Sequence, residues 1–144
     1  MEISAELLSD AGWSEGEPGP ISVDVEGIRS QGFVLSHHNA DMLRSLVGIV
    51  AEVPARGVLP ADRVRFDPDA ACAEIDGVWR ERYRSIVGDD LVPIGYAKSD
   101  HMMLHLAGDG RVIGTFDSFV CVIGDDLLSA VDSMIRRADV VELS

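Results

Sequence analysis

Basic residues are scarce in this sequence. Lys and Arg together number 12 against 25 Asp and Glu, which gives a formal net charge of −13 over 144 residues. Lys98 is the single lysine. An acidic surface is repelled by nucleic-acid phosphates and by anionic lipid headgroups, so we expect neither direct nucleic-acid binding nor membrane binding. A basic protein partner would instead be attracted and would associate faster.

Cysteine is nearly absent, and long apolar runs are missing. Cys72 and Cys121 are far apart and lack the spacing of metal ligands, which predicts buried, reduced thiols rather than a disulfide scaffold. No stretch approaches the roughly 18 apolar residues of a membrane span. The first ten residues contain three acids and no base, the opposite of a signal peptide. We therefore expect a cytoplasmic protein.

What is present is the composition of a globular domain. Hydrophobic residues make up 47% of the chain and charged residues 26%, whereas disordered chains are poorer in apolar residues. The length suits one domain with a sizeable core. We expect residues 1–144 to form a single domain.

Five helices are predicted from apolar residues at a 3.6-residue period and from end signals. Ser4 would cap the first helix, and Pro20 would open the second. Asp67 and Pro68 mark the start of a long fourth helix, which Gly88 would end. The predicted helices cover residues 4–11, 20–32, 36–50, 67–88 and 125–137.

Strands are predicted from the shorter apolar runs. Asp109-Gly110 lies between two of these runs and is a strong hairpin signal. Pro60 predicts an edge or irregular strand, and Pro93 predicts an edge strand or a strand start, because proline cannot donate to a ladder. The order of elements predicts an α+β fold, with helices packed on a mostly antiparallel sheet of about five or six strands. The predicted strands cover residues 49–53, 58–66, 91–97, 101–107, 111–116 and 119–123.

No motif for nucleotide binding, zinc-dependent proteolysis or serine hydrolysis is present. His101 and His105 would lie about 13 Å apart on a strand, too far to share a metal ion. They are better explained as polar residues on the exposed face of a hairpin. His37 and His38 are neighbours near a helix start, where capping or solvation is the favoured role. The sequence therefore predicts no metal and no cofactor.

The other candidate residues have ordinary structural explanations as well. The pairs Asp89-Asp90 and Asp125-Asp126 fit a loop after a helix and the first turn of another helix. The two cysteines are possible nucleophiles, but a buried free thiol is the more common role. The two tryptophans are possible pocket residues, but Trp79 falls on the predicted core side of its helix. Together these features favour a non-catalytic binding protein over an enzyme that uses Asp or Cys.

Several short motifs occur in the order found in a known family. A short helix ends in Gly12-Trp13, and later Pro93-Ile94-Gly95 precedes a strand and a turn with Gly110-Arg111-Val112. In this order and spacing, from about Ile3 to Arg137, the chain resembles the SUKH superfamily, and most of all its third family. It departs from the family pattern at residues 46–49, where relatives usually have an aromatic residue followed by two glycines.

The resemblance implies an immunity protein of bacterial polymorphic toxin systems. Such an antitoxin acts in the cytoplasm and binds a cognate toxin domain, often a nuclease or a nucleic-acid deaminase. It blocks the active site or the substrate groove of the toxin, and it brings no catalytic residue and no cofactor. Fold-defining positions implied by the resemblance, with Trp79 added from the helix pattern, are Gly12, Trp13, Trp79, Pro93, Ile94, Gly95 and Gly110.

The negative charge is concentrated in two segments. Residues 1–28 contain seven acids and no base, and residues 85–126 contain seven acids against two bases. On charge alone, a generally acidic and soluble surface is the favoured explanation. With the resemblance, we hypothesise that several of these carboxylates line one face beside residues 91–123 and meet a basic groove of the toxin. The candidate partner-binding residues are Asp24, Glu26, Asp89, Asp90, Asp100, Asp109, Asp117, Asp125 and Asp126.

Two other functions stay open at this point. A regulator or adaptor of the same fold would bind another protein or a small ligand without any toxin. An enzyme that uses Asp or Cys residues is the third possibility. A toxin reading frame next to this one would favour the immunity function. Monomer and homodimer both stay open, because apolar strand edges can pair.

Overall fold

The computed structural model of the chain describes residues 2–14, 17–19 and 21–144. The described residues form six helices: α1 (Glu2–Asp10), α2 (Val25–Ser30), α3 (His37–Leu46), α4 (Pro68–Glu74), α5 (Gly77–Val87) and α6 (Leu127–Arg136). They also form seven strands: β1 (Val50–Val53), β2 (Asp62–Phe66), β3 (Leu91–Ala97), β4 (Met102–Ala107), β5 (Val112–Phe116), β6 (Phe119–Gly124) and β7 (Val141–Glu142).

The strands form one antiparallel sheet in which each strand pairs with the next along the chain, in the order β1 to β7. The predicted α+β fold with an antiparallel sheet is therefore confirmed. The sheet has more strands than the five or six predicted, because the sequence pattern missed β7. That strand contains only Val141 and Glu142 and pairs with Cys121 and Val122 of β6, and two residues are too short for a period-2 pattern to be detected.

The two faces of the sheet are covered differently. On the first face, α1, α2, α3 and α6 bury the larger core, which includes Trp13, Leu43 and Leu104. The Trp13 indole N–H donates to the Ser45 Oγ at 3.0 Å, so this buried polar atom is satisfied. On the second face, α5 covers a smaller core, formed by Tyr83, Leu91, Ala107, Ile113 and Val120.

The predicted fourth helix is two helices, and this correction changes the surface of the protein. The chain leaves the helix at Ile75, and the Asp76 carboxylate caps α5 by accepting the Val78 N–H at 2.8 Å. Because a new helix starts here, the apolar stripe of α4 does not continue. Val78, predicted to be core, is 77% exposed, and Tyr83 is the buried residue of α5.

The ends of other helices also differ from the prediction. The second helix begins at Val25, where the Asp24 carboxylate accepts the Gly27 N–H at 2.9 Å, and Pro20 lies outside the described residues. The helix starts after Asp24 because the Asp24 carboxylate supplies the acceptor that the N-cap position needs. The first helix already includes Ser4, so this residue is not its cap. The last helix begins at Leu127, two residues later than predicted, and Asp126 is its cap.

Pro93 is the third residue of β3, an interior strand, so it lies neither in an edge strand nor at a strand start. Its partner β2 ends at Phe66, so the backbone of Pro93 faces α4, whose Cys72 thiol donates to the Pro93 carbonyl at 3.5 Å. The missing N–H of proline therefore breaks no ladder hydrogen bond. The strand predicted from Val58 begins only at Asp62, because residues 56–59 form a tight turn closed by a bridge between Arg56 and Leu59.

Gly95 and Gly110 meet requirements that only glycine satisfies easily. A Cβ atom at Gly95 would lie 2.1 Å from the Arg65 carbonyl oxygen, so β2 and β3 approach closely only without a side chain here. Gly110 has a φ of +95° in the turn between β4 and β5, as the predicted hairpin requires. Next to Gly95, Ile94 is completely buried in the larger core.

Candidate partner-binding cleft

A cleft of about 280 Å³ lies on the second face of the sheet, between α5 and the turns that follow β3 and β5. We call it the α5 cleft. Aromatic side chains form much of its wall, and four carboxylates stand around it. The aromatic residues are Trp79, Tyr83, Tyr96, His101 and Phe116, and the acidic residues are Glu74, Asp76, Asp100 and Asp117.

One wall of the α5 cleft is a packed aromatic group. The Trp79 ring stacks on Tyr83, with ring centroids 5.6 Å apart and the planes at 25°. Tyr83 in turn contacts the His105 ring edge-on at 5.7 Å. Trp79 was predicted to be core, but it is only partly buried and lines the cleft. Rings held by neighbours in this way present a large contact area at little further entropic cost.

His105 supports this wall from within the sheet. The prediction that it lies on an exposed strand face is wrong, because α5 covers that face and the histidine is fully buried. Its Nε2 atom is 2.8 Å from the Thr115 Oγ1 atom. Among the described residues its Nδ1 has no hydrogen-bond partner. Desolvation lowers the pKa of His105 to about 3, so the ring is neutral at physiological pH.

The opposite wall of the cleft is built around Tyr96. Its hydroxyl donates to the Glu74 carboxylate, and the Arg65 guanidinium lies over its ring at 4.5 Å from the centroid. Burial, and secondarily the Glu74 carboxylate, raise the pKa of Tyr96, so the phenol stays protonated and keeps donating. This wall therefore combines a fixed aromatic ring with one cation and one anion.

The structure brings two of the predicted partner-binding acids to the cleft, Asp100 and Asp117. Asp100 accepts hydrogen bonds from the Arg65 Nε and Nη2 atoms, both at 3.4 Å. The backbone carbonyl of Asp117 accepts the Tyr83 hydroxyl at 2.7 Å. Sequence reasoning missed Glu74 and Asp76, because they lie in a charge-balanced segment and inside what was predicted as one continuous helix.

Five other predicted acids lie at the opposite end of the strands. At that end, Leu91 at the start of β3 pairs with Ala107 at the end of β4. Asp100 and Asp117 lie at the other end, after the last residues of β3 and β5. Within this group, the Asp89 carboxylate accepts the N–H groups of Asp90 and Asp109 at 2.7 and 3.0 Å. The group consists of Asp89, Asp90, Asp109, Asp125 and Asp126, which we call the turn-end acids.

Arginines and helix ends neutralise part of the turn-end acids. Asp90 pairs with Arg84 at 3.1 Å, and Asp109 pairs with Arg111 at 2.8 Å. Asp24 and Glu26 lie in a third place, on α2, where Asp24 is the N-cap and Glu26 pairs with Arg29 at 2.6 Å. The structure thus divides the nine candidates among three places rather than one face.

The two cysteines are buried and form no disulfide, as predicted. Burial raises the pKa of Cys72 to about 12 and also raises that of Cys121. A thiol with a pKa of about 12 supplies almost no thiolate at neutral pH, so Cys72 lacks the thiolate of a nucleophile, and burial disfavours the thiolate of Cys121 as well. Within the part of the chain that the structure describes, no group of three His, Cys, Asp or Glu residues is placed to hold a metal ion.

No described helix combines the length and the apolar character needed to cross a bilayer. In a comparison with protein families, the model of the SUKH-3 immunity protein family matches residues 2–137. The match runs from α1 to the C-cap of α6, so it includes every residue that lines the α5 cleft and leaves out β7. Searches of curated proteins and of solved structures find no match.

Proposed function

The chain belongs to the SUKH-3 immunity protein family, and we propose that it binds one cognate toxin domain in the bacterial cytoplasm and neutralises it. In this proposal residues 1–144 form a single non-catalytic immunity domain without a cofactor. The toxin acts on nucleic acid, as a nuclease or a deaminase of a polymorphic toxin system. The protein inhibits it by covering its active site or substrate groove.

The observation that carries the proposal is the aromatic wall of the α5 cleft. Interface residues that dominate binding energy are enriched in Trp and Tyr and lie in desolvated pockets surrounded by a polar rim. Trp79 and Tyr96 line such a pocket, and Phe116 beside them is 50% exposed. The stacked rings and the hydrogen bond from Tyr83 hold this surface in place before a partner arrives.

Charge complementarity supports a toxin with a basic groove. A protein that handles nucleic acid presents Lys and Arg to phosphates. Glu74, Asp76, Asp100 and Asp117 surround the cleft, and carboxylates so arranged can occupy the places of phosphate groups in that groove. The aromatic rings would then fill the space that a base occupies in the toxin.

The acids away from the cleft have a different role in this proposal. The turn-end acids, together with Asp24 and Glu26, contribute to the net charge of −13 that attracts a basic protein from a distance. We expect them to raise the association rate more than they lower the dissociation rate.

Coexpression with a toxin domain from a reading frame next to this one tests the proposal. We expect the two proteins to copurify, and we expect cells to survive expression of the toxin only when this chain is present. A purified complex without toxin activity would support neutralisation by direct binding. Normal toxin activity at saturating amounts of this chain would contradict it.

A further inference from the structure

A second cavity, of about 270 Å³, lies on the first face of the sheet, on the other side from the α5 cleft. We call it the α6 cavity. Its apolar wall comes from Met102 of β4, Phe119 and Ile123 of β6, and Met134 of α6. Except for Ile123, which is buried in the larger core, these side chains are only partly buried against it. A cavity with such walls is suited to an apolar chain.

Two cations line the same cavity, Lys98 and Arg137. Cations are rare in this protein, which has 12 Lys and Arg against 25 Asp and Glu. Asp139 is the one acid in the lining, so the cavity carries a net positive charge within a strongly negative molecule. This local sign favours an anionic ligand over a cationic one.

Both cations lie on residues with a left-handed backbone conformation. Lys98 has a φ of +54° and Arg137 a φ of +53°, in the left-handed region that L residues rarely adopt. Arg137 is the left-handed C-cap of α6, and Lys98 lies in the turn that follows β3. The Arg137 Nη2 atom donates to the Pro60 and Pro54 carbonyls at 2.6 and 3.4 Å, which fixes its guanidinium beside the cavity.

Arg137 also carries a donor without an acceptor. Among the described residues, its buried Nε atom has no hydrogen-bond partner. A buried N–H group without a partner is destabilising, and an anionic oxygen is the strongest acceptor that such a group can receive. The Arg137 Nε–H group therefore lacks a hydrogen-bond acceptor, and it lies beside an apolar cavity.

We propose that the α6 cavity binds a small free amphiphile, with a carboxylate headgroup near Lys98 and Arg137 and a short alkyl chain among the apolar side chains. The cavity volume lies just below the range of about 300–1,000 Å³ that is typical of drug-sized ligands, so the chain is short. Ser133 also lines the cavity. Ala138, Asp139 and Val140 complete the lining, and these three lie beyond the residues that the family model matches. The proposal does not depend on toxin binding.

Titration with butanoate, hexanoate and octanoate, followed by NMR shifts of residues around the cavity, tests this proposal. Each added methylene should tighten binding about fourfold until the cavity is full, because burial of one methylene contributes about 0.8 kcal/mol. Octan-1-ol, which lacks the charge, should bind at least fivefold more weakly than octanoate. Absence of shifts at the cavity with all three carboxylates would overturn the proposal.

Two charge variants separate headgroup recognition from apolar filling. Lys98→Met should weaken octanoate binding at least fivefold, and Asp139→Asn should strengthen it, while octan-1-ol binding stays unchanged in both. Thermal unfolding of each variant verifies that it is folded. Equal effects on the acid and the alcohol would overturn the carboxylate part of the proposal.

Sedimentation with phosphatidylglycerol vesicles distinguishes a free ligand from a membrane lipid. Binding of the protein to the vesicles would contradict a free amphiphile as the ligand.

Discussion

The Tyr83 hydroxyl donates a hydrogen bond to the backbone carbonyl of Asp117, at 2.7 Å. This bond joins the middle of α5 to the turn between β5 and β6, so it ties the helix to the sheet across the α5 cleft. Burial raises the pKa of Tyr83, which keeps the donor protonated. The cleft is therefore held in shape by a contact between elements that are 34 residues apart in the chain.

Removal of that hydroxyl should weaken the attachment of α5 to the sheet while the aromatic wall of the cleft stays in place. Tyr83→Phe keeps the ring that stacks on Trp79 and leaves the Asp117 carbonyl without its donor. We expect the free energy of unfolding to fall by about 1 kcal/mol. Urea denaturation measures this change, and we expect toxin affinity to fall with it. Unchanged stability and affinity would show that the bond does not shape the cleft.

The buried His105 predicts a loss of stability in mild acid. Its pKa is lowered to about 3 in the folded protein, against an ordinary value of 6.5 for histidine, so in mild acid the unfolded chain binds a proton that the folded protein does not. Stability is therefore full above pH 6.5 and falls as the pH drops from 6.5 towards 3. Between pH 7 and pH 5 the loss should be about 2 kcal/mol.

Urea denaturation at pH 7, 6 and 5 measures this loss. His105→Gln is the matched variant, since its side-chain amide can still hydrogen-bond Thr115 but does not titrate. The variant should lack most of the decrease between pH 7 and pH 5. An equal decrease in both proteins would assign the effect to other groups.

Two glycine substitutions test the close approach of β2 and β3. Gly95→Ala would place a Cβ atom 2.1 Å from the Arg65 carbonyl oxygen and 2.9 Å from the Phe66 Cα atom, and backbone atoms cannot yield cheaply. We expect a loss of about 3 kcal/mol or more, or no folded protein. Gly77→Ala is the control, because it meets no atom within 4 Å and begins α5. It should be neutral or stabilising by up to about 1 kcal/mol.

Much of this fold can be predicted from the sequence, and the errors have a common cause. The hairpin at Asp109-Gly110 and the Asp67 cap depend on neighbours in the chain, so local patterns identify them. The break at Asp76 and the burial of His105 depend on where α5 packs, and a 3.6-residue period carries no information about that.

The site was harder to predict than the fold for the same reason. Clustering of charge along the chain selected Asp100 and Asp117, which do lie at the cleft, together with seven acids that lie elsewhere. Glu74 and Asp76 come to the same cleft from a charge-balanced segment. In an antiparallel meander, successive turns lie at alternate ends of the strands. Acids in neighbouring turns are therefore close in sequence but lie at opposite ends of the sheet.

Neutralising the acids at the cleft should slow binding and weaken it. Asp100→Asn with Asp117→Asn removes two charges while keeping side chains that tolerate the positive φ of both residues. Asp10→Asn with Glu17→Gln removes the same charge from exposed positions away from the cleft. We expect toxin affinity to fall at least tenfold in the cleft variant and less than threefold in the control, with the difference shrinking at high salt. Equal effects would mean that only the total charge matters.

The dissociation constant of the complex with the toxin domain, measured by calorimetry for Trp79→Ala and Phe116→Ala, decides whether the α5 cleft is the toxin interface. Val58→Ala is the control, since this side chain is fully exposed and outside the cleft. If the α5 cleft is the toxin interface, each cleft variant weakens binding about thirtyfold or more, as expected for loss of about 2 kcal/mol at a dominant interface residue. The Val58 variant then binds like the unaltered protein. Folded Trp79 and Phe116 variants that bind the toxin with unchanged affinity would show that the toxin does not bind in the α5 cleft.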